Sequence, residues 1–325
     1  MKIPFIGAFA AYAIAAFSVL LPSLTHADEQ GTTKLRIGTL PAADSVVLYA
    51  ARDEGLFSEY GLDVEIVPFT SALELGAAMR AGSLDGHFGD IINVLMQNET
   101  GAPQAIVATT SRSKKSARYF GLAVGPSSGI EKEEDLKGKT VAIGKATIVE
   151  YVFDALASQK GAVDMMAKKD IRQIPIRLQM LMSGQVDAAL LPEPLLSLVE
   201  ARGAKVIWDD SCLTVPLAVL ALKKGEMDEP RFNELAHSFR SAVAAAAAVI
   251  NQEPDKYRQR MIELKLLSPD ALPKYSMLTF DLPAIPLGLP TAEEVADYAA
   301  WMKKNRALRG DVPAYADVVF VPLLR

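Results

Sequence analysis

Two stretches about a hundred residues apart repeat one pattern. Met79 to Phe88 reads Met-Arg-Ala-Gly-Ser-Leu-Asp-Gly-His-Phe, and Leu181 to Leu190 reads Leu-Met-Ser-Gly-Gln-Val-Asp-Ala-Ala-Leu. Each holds the end of an apolar helix, a Gly, one polar residue, an aliphatic residue, an Asp and a short apolar strand. Gly just past a helix end accommodates the left-handed cap conformation, so each copy marks a helix stopping and a buried strand starting. The β-α-β-α-β pattern around each copy predicts two similar α/β lobes, which are expected to face each other across a cleft.

At 325 residues, half of them apolar, the chain can bury a core in each lobe. Its net charge of −5 and scattered Lys and Arg argue against nucleic-acid binding, which needs a basic stripe. The one dense basic run, Arg112 to Arg118, reads as a solvated loop. Cys212 is the only cysteine; it rules out an intrachain disulfide and a Cys-based metal site, and it reads as a buried, unreactive thiol. At the N-terminus, Met1-Lys2 precedes an apolar run from Ile3 to Leu21, and Thr25-His26-Ala27 matches a small-x-Ala cleavage site. This reads as a signal peptide over residues 1–27, cut before Asp28, with no Cys behind it for a lipid anchor. An exported, periplasmic protein is expected.

Along the remainder, Lys34–Leu40 and Asp63–Pro68 alternate as strands around a helix from Ser45 to Arg52, N-capped by Asp44 or Ser45. Ser71-Ala72-Leu73-Glu74, Thr147-Ile148-Val149-Glu150 and Thr291-Ala292-Glu293-Glu294 have the spacing of capping boxes and open three helices. Ala105–Ala108, Thr140–Gly144, Ile171–Ile174 and Lys205–Trp208 read as further strands, Phe120–Val124 opens the second lobe, and Leu217–Leu222 is an apolar run that carries the chain back toward the first lobe. Arg177–Met182 reads as the helix before the second repeat, and Arg231–Asn251 as a long Ala-rich helix. The chain path crosses between lobes near Arg118–Phe120 and returns near Val215–Ala218. One lobe then comprises residues 28–118 and 218–325, and the other 119–217.

In open α/β lobes, ligands sit at the carboxyl ends of strands, where helix N-termini present unpaired N–H groups. The strand-to-helix junctions are therefore the candidate site: Leu40–Ser45, Phe69–Ala72, Phe88–Ile91, Thr109–Arg112, Lys145–Ile148 and Leu191–Pro194. Ser71 and Thr147 occupy matching junctions, each able to cap its helix or to touch a ligand. Asp90 follows the first repeat strand and Glu193 the second. Pro192 and Pro194 restrict the backbone around Glu193, which would aim its carboxylate consistently. With Asp44, these acids favour a cationic or amine-bearing ligand, although negative charge is stabilising at any helix N-terminus. Arg112 and Lys145 are the cations at these junctions and would hold an anionic group if they point inward. Trp208 is the strongest aromatic candidate for a pocket wall.

Several segments resemble the periplasmic substrate-binding proteins of ABC importers, in the group that includes nitrate, taurine, alkanesulfonate and thiamine-precursor binders. They are IGTLPAADSVVLYAARDEGLFSEYGLDVEIVPF from Ile37, SALELGAAMRAGSLDG from Ser71, DLKGKTVAIGKATIVEYVFD from Asp135 and GQVDAALLPEPL from Gly184. The resemblance implies a two-lobe, type II periplasmic-binding-protein fold that closes on a small ligand in the cleft. It implies no cofactor, a monomer, and an inner-membrane permease and ATPase as partners. The residues favour a nitrogenous or aromatic metabolite such as a vitamin precursor, with a sulfonate or other oxyanion as the alternative. A periplasmic sensor would use the same closure. Catalysis is disfavoured, because His26, His87 and His237 do not pair with a nucleophile at motif spacing.

Overall fold

The repeated Asp is a structural pin, used the same way twice. In the computed structural model, which describes residues 32–281 and 288–321, Gly82 and Gly184 end their helices with φ of 70° and 72°. Leu84 and Val186 then turn into the core. The Asp85 carboxylate accepts the Arg36 backbone N–H at 2.8 Å, and the Asp187 carboxylate accepts the Thr140 N–H at 2.8 Å. Their carbonyls accept the N–H groups of Lys223 and Gly125 from the opposite side. Each Asp thus joins the strand it starts to both neighbouring strands. The predicted leader over residues 1–27 lies outside the described residues.

The strands are β1 (Thr33–Thr39), β2 (Leu62–Pro68), β3 (Gly86–Gly89), β4 (Gln104–Arg112), β5 (Phe120–Val124), β6 (Thr140–Ile143), β7 (Ala167–Asp170), β8 (Ala188–Pro192), β9 (Lys205–Asp209) and β10 (Pro216–Lys223). They form two five-stranded sheets, ordered β2-β1-β3-β10-β4 and β7-β6-β8-β5-β9. In each sheet the first three strands are parallel and the fourth is antiparallel to both neighbours. That fourth strand, β10 in one sheet and β5 in the other, is the one that has just crossed from the other lobe. The fold is therefore a two-lobe α/β fold with two crossings.

The crossings are tied together. Ser113 N–H donates to the Val215 carbonyl at 3.0 Å, and Val215 N–H donates to Ser113 Oγ at 3.1 Å. Asp210, fully buried, accepts the N–H groups of Tyr119 and Phe120 at 2.8 and 2.9 Å through one oxygen, while its other oxygen has no partner among the described residues. On the first lobe, the helix Glu229–Gln252 lies against Val46–Asp53 and stacks Phe239 on Phe57 at 5.5 Å. Within its Ala run, Ala246 and Ala247 are buried and Ala248 faces solvent.

Four readings need correction. Ile171–Ile174 is not a strand: β7 lies earlier, and a helix runs from Ile174 to Met182 with Pro175 in its first turn, where a missing N–H costs nothing. Cys212 is exposed, on the turn Asp210–Cys212 between β9 and β10. Three cations of the basic run are paired, while Lys115 is exposed: Arg112 meets Glu294, Lys114 meets Asp281, and Arg118 meets Glu193 and Glu200. Of the capping boxes, Thr291/Glu294 closes both ways. In the other two the Glu reaches past its cap, Glu74 to Thr70 and Glu150 to the Ala146 N–H.

Replacing Asp187 by Ala leaves the Thr140 N–H without its acceptor and is expected to cost about 1–3 kcal/mol. Asp187→Asn keeps an oxygen there and should cost less; urea unfolding of the two variants compares them. Asp210 gives a pH signature. Burial, with a smaller push from Asp209, raises its carboxyl from 3.8 to about 6 despite the backbone hydrogen bonds. The folded state then binds this proton more tightly than the unfolded chain. The contribution is present below about pH 4 and lost as pH rises through about 6. Asp210→Asn keeps the acceptor and removes the charge. Its melting temperature should exceed the wild type's at pH 8, by the equivalent of up to about 3 kcal/mol, and the gap should close by pH 4 in thermal melts.

Candidate functional site

The carboxyl ends of β1, β3, β6 and β8 converge on a cavity of about 70 Å³ between the two sheets. That is room for a few water-sized groups. Its walls are mainly apolar: Leu40, Ala42, Ala43, Ala72, Phe88 and Ala218 from one lobe, with Phe120, Ile148, Val149 and Ile174 from the other and Leu217 at the return crossing. The charged residues on it are Asp44, Asp90, Glu193, Arg172 and Arg177.

Asp90 joins the lobes. It is the N-cap of the helix Ile91–Glu99, and its Oδ1 accepts the Asn93 N–H at 2.7 Å. Its Oδ2 accepts the Ile148 N–H at 3.2 Å, from the first turn of the facing lobe's helix Ile148–Gln159. Burial pushes the Asp90 carboxyl above its ordinary range, against the backbone donors Asn93, Ile148 and Ile92. Asp44, in the short turn Ala43–Ser45, accepts the Thr110 hydroxyl at 2.8 Å. Burial raises its carboxyl too, opposed by Ser111 and Thr110. Neither acid has a cation in contact among the described ion pairs.

Other contacts also span the cleft. Ala43 N–H donates to the Glu193 carbonyl at 3.0 Å, Ile174 N–H to the Thr70 carbonyl at 3.2 Å, and Gln173 Nε2 to Glu74 at 3.1 Å. Between the helices Ile148–Gln159 and Ala292–Lys304, Tyr151 stacks on Tyr298 with centroids 4.0 Å apart, and the Trp301 indole donates to Asp154 at 3.1 Å. The two lobes are shut on the cavity.

Of the predicted site residues, Asp44, Asp90, Thr147, Ile148 and Glu193 line the cavity. Thr147 caps its helix, its hydroxyl accepting the Val149 N–H and donating to the Gly144 carbonyl. Ser71 also caps, accepting the Glu74 N–H at 3.2 Å, and it is Ala72 beside it that faces the cavity. Ser45 is buried with its hydroxyl on the Ala42 carbonyl. The Glu193 carboxylate does not wait for a ligand: one oxygen takes the Arg118 guanidinium at 2.6 Å and the other the Ser197 N–H and hydroxyl. Arg112 ends β4 and is held by both Glu294 oxygens, away from the cavity. Lys145 is exposed and contributes only its backbone N–H, to Asp170. Trp208 is packed in the core near Phe153, 6.4 Å between centroids, and forms no pocket wall.

The residue that sequence reading missed is Arg177. It is 1% exposed, yet it lines the cavity. Nη1 donates to the Ile171 carbonyl at 2.9 Å, while Nε and Nη2 have no partner among the described residues. Burial pulls its pKa down to about 10, against the pull of Asp170, so it stays charged at neutral pH. A buried donor left unmade costs about 1–3 kcal/mol, more when charged. The available signal was Pro175: with a helix begun at Ile174, Arg177 falls on the same face as Ile174, Leu178 and Leu181, a cation where the helical period asks for an apolar residue.

Solved structures share this fold. The alkanesulfonate-binding protein SsuA from Xanthomonas axonopodis pv. citri, bound to MOPS, is 18% identical with a TM-score of 0.70, over 88% of this chain and 97% of that one. The periplasmic aliphatic sulphonate binding protein SsuA of Escherichia coli gives 18% and 0.69 over the same shares. The periplasmic nitrate-binding protein NrtA of Synechocystis PCC 6803 gives 15% and 0.57, over 71% of this chain and 66% of that one. The shared feature at these identities is the periplasmic-binding-protein fold. No curated protein matches the sequence. The family described as NMT1/THI5 like matches residues 42–257, and this chain belongs to it.

Proposed function

We propose that the chain is an extracytoplasmic solute-binding protein, which closes its lobes (28–118 with 218–325, and 119–217) on a small molecule and delivers it to an ABC permease and its ATPase. The observation that carries this reading is the Asp90–Ile148 bond across the cavity. A carboxylate from one lobe and a helix N-terminus from the other meet over an enclosed space, which is what a two-jawed trap requires. Opening would break that bond together with the Tyr151–Tyr298 stack, so a ligand that touches both lobes shifts the population toward the shut form. Binding rather than catalysis fits the placement of the described histidines. His87 is buried in β3 with its ring on Gln104, and His237 packs edge-on against Phe320. The family and the fold support export to the periplasm.

Asp44 and Asp90 favour an amine-bearing metabolite, and Arg177 favours an oxyanion. A solute at one hundred times its dissociation constant adds about 2.7 kcal/mol of stability, so thermal-shift screening finds binders. With a saturating binder, small-angle scattering should show compaction and Trp301 fluorescence should change as its ring meets Tyr151 and Asp154. Trp208, buried in the core, should contribute a constant signal. A protein that binds its solute with no compaction is not a trap. Asp90→Ala removes the bridge and should weaken both closure and affinity by about tenfold or more.

A further inference from the structure

The geometry points to Arg177 as the anion-binding residue of this cavity, and to a small zwitterion, an amine joined to a carboxylate or sulfonate, as its ligand class. This rests on the solute-binding reading above and adds to it the chemistry of the solute. Three observations carry it.

The first is which nitrogens of Arg177 are open. Nη1 is anchored on the Ile171 carbonyl. The two without partners, Nε and Nη2, are the pair whose N–H bonds run parallel along one edge of the guanidinium. That edge matches two oxygens of one carboxylate or sulfonate, a bidentate geometry that an ammonium cannot supply. The second is that no acid among the described residues pairs with it. Asp170 acts on Arg177 without an ion pair, its carboxylate being taken by the Lys145 N–H and by Arg172 Nε at 3.0 Å. Gly144 packs beside the anchored end: a Cβ there would sit 3.5 Å from Nη1 and 3.3 Å from Thr147 Oγ1.

The third is the distribution of charge. Arg177 comes from the second lobe, whereas Asp44 and Asp90, buried and without a cation in contact among the described residues, come from the first. Glu193 is already neutralised by Arg118, and Arg172 by Asp170. A simple anion would satisfy Arg177 and leave the two acids facing it unpaired. A simple amine would do the reverse. A molecule carrying both groups answers both walls, and the cavity of about 70 Å³ limits it to a short spacer.

The test uses glycine, β-alanine, aminomethanesulfonate and taurine as probes, with acetate, propionate, ethanesulfonate and ethylamine as controls lacking one charge. Affinities are read by calorimetry and melting temperatures on wild type, Arg177→Lys and Arg177→Met. At least one zwitterion should bind wild type tenfold or more tightly than its one-charge controls, the carboxylate and sulfonate arms deciding which head fits. Arg177→Met should lose that binding while melting no lower than wild type without solute, because it removes a buried charge that lacks two partners. Arg177→Lys, which keeps the charge but not the parallel edge, should recover only part of it. A structural arginine would show itself by a lowered melting temperature of Arg177→Met with undiminished binding, and that result overturns the assignment. So does a panel in which no zwitterion exceeds its controls. Compaction that does not depend on Arg177 overturns this inference and keeps the trap; Arg177-dependent binding without compaction keeps the inference and overturns the trap.

Discussion

The carboxylates of Asp85 and Asp187 set where everything else in the cleft can be. Each accepts a backbone N–H of one neighbouring strand, Arg36 in the middle of β1 and Thr140 at the start of β6, while its own carbonyl accepts from the strand on the other side. A strand of four or five residues cannot slip against neighbours held at its first residue, because a slip of one residue would turn its side chains to the other face. With the register fixed at the start, the far ends of β3 and β8 are fixed as well. Those ends deliver Asp90 and Glu193 to the two sides of one cavity. The repeat that opens the sequence is therefore the device by which local hydrogen bonding positions a site more than a strand's length away.

The lobes share a plan and diverge in charge. At the first lobe's tip, Asp90 reaches across to the Ile148 N–H. At the second, the Glu193 side chain turns back to Arg118 and Ser197, and only its carbonyl meets the facing lobe, through Ala43. The acid of one tip is thereby available to the cavity and the acid of the other is spent on the crossing segment. The cation is asymmetric too, since Arg177 has no counterpart in the helix Ala72–Arg80 that occupies its place in the first lobe. A pseudo-symmetric scaffold has become a polar cleft, negative on one wall and positive on the other.

Much of this was legible in the chain. The two Gly-x-aliphatic-Asp copies located both lobes, and the capping residues Ser71, Asp90, Thr147 and Thr291 marked helix starts that the structure shares. What escaped was set by contacts between residues far apart. Nothing near Arg118 in sequence announces Glu193, 75 positions away, and nothing near Arg112 announces Glu294, 182 positions away. Both arginines therefore read as solvated. The Glu at the third helical position in two apparent boxes is a similar case: tertiary context offered Gln173 to Glu74 and Lys168 to Glu150. Arg177 escapes for a different reason: with Ile171–Ile174 read as a strand and the helix begun only at Arg177, its place on the buried face of a helix that starts at Ile174, with Pro175 in the first turn, is hidden.

Closure without a ligand has a physical cost here, and that cost is what makes the cleft selective. In the shut form Arg177 is buried with one guanidinium edge unmade, and Asp44 and Asp90 are buried with no cation in contact among the described residues. In an open cleft, water would serve all three. Each stranded donor disfavours the shut state by about 1–3 kcal/mol. A solute that completes these bonds binds the shut state and the open state with correspondingly different affinities. Moving a two-state equilibrium from 1:99 to 99:1 needs about 5.5 kcal/mol of such difference, which is the order that two donors and two acids can supply. A molecule of similar size that satisfies one wall alone leaves the other stranded and shifts the equilibrium less. Selectivity then resides in the closing step more than in first contact, and the apolar walls around the cavity enforce it by offering Arg177 Nε and Nη2 no other partner.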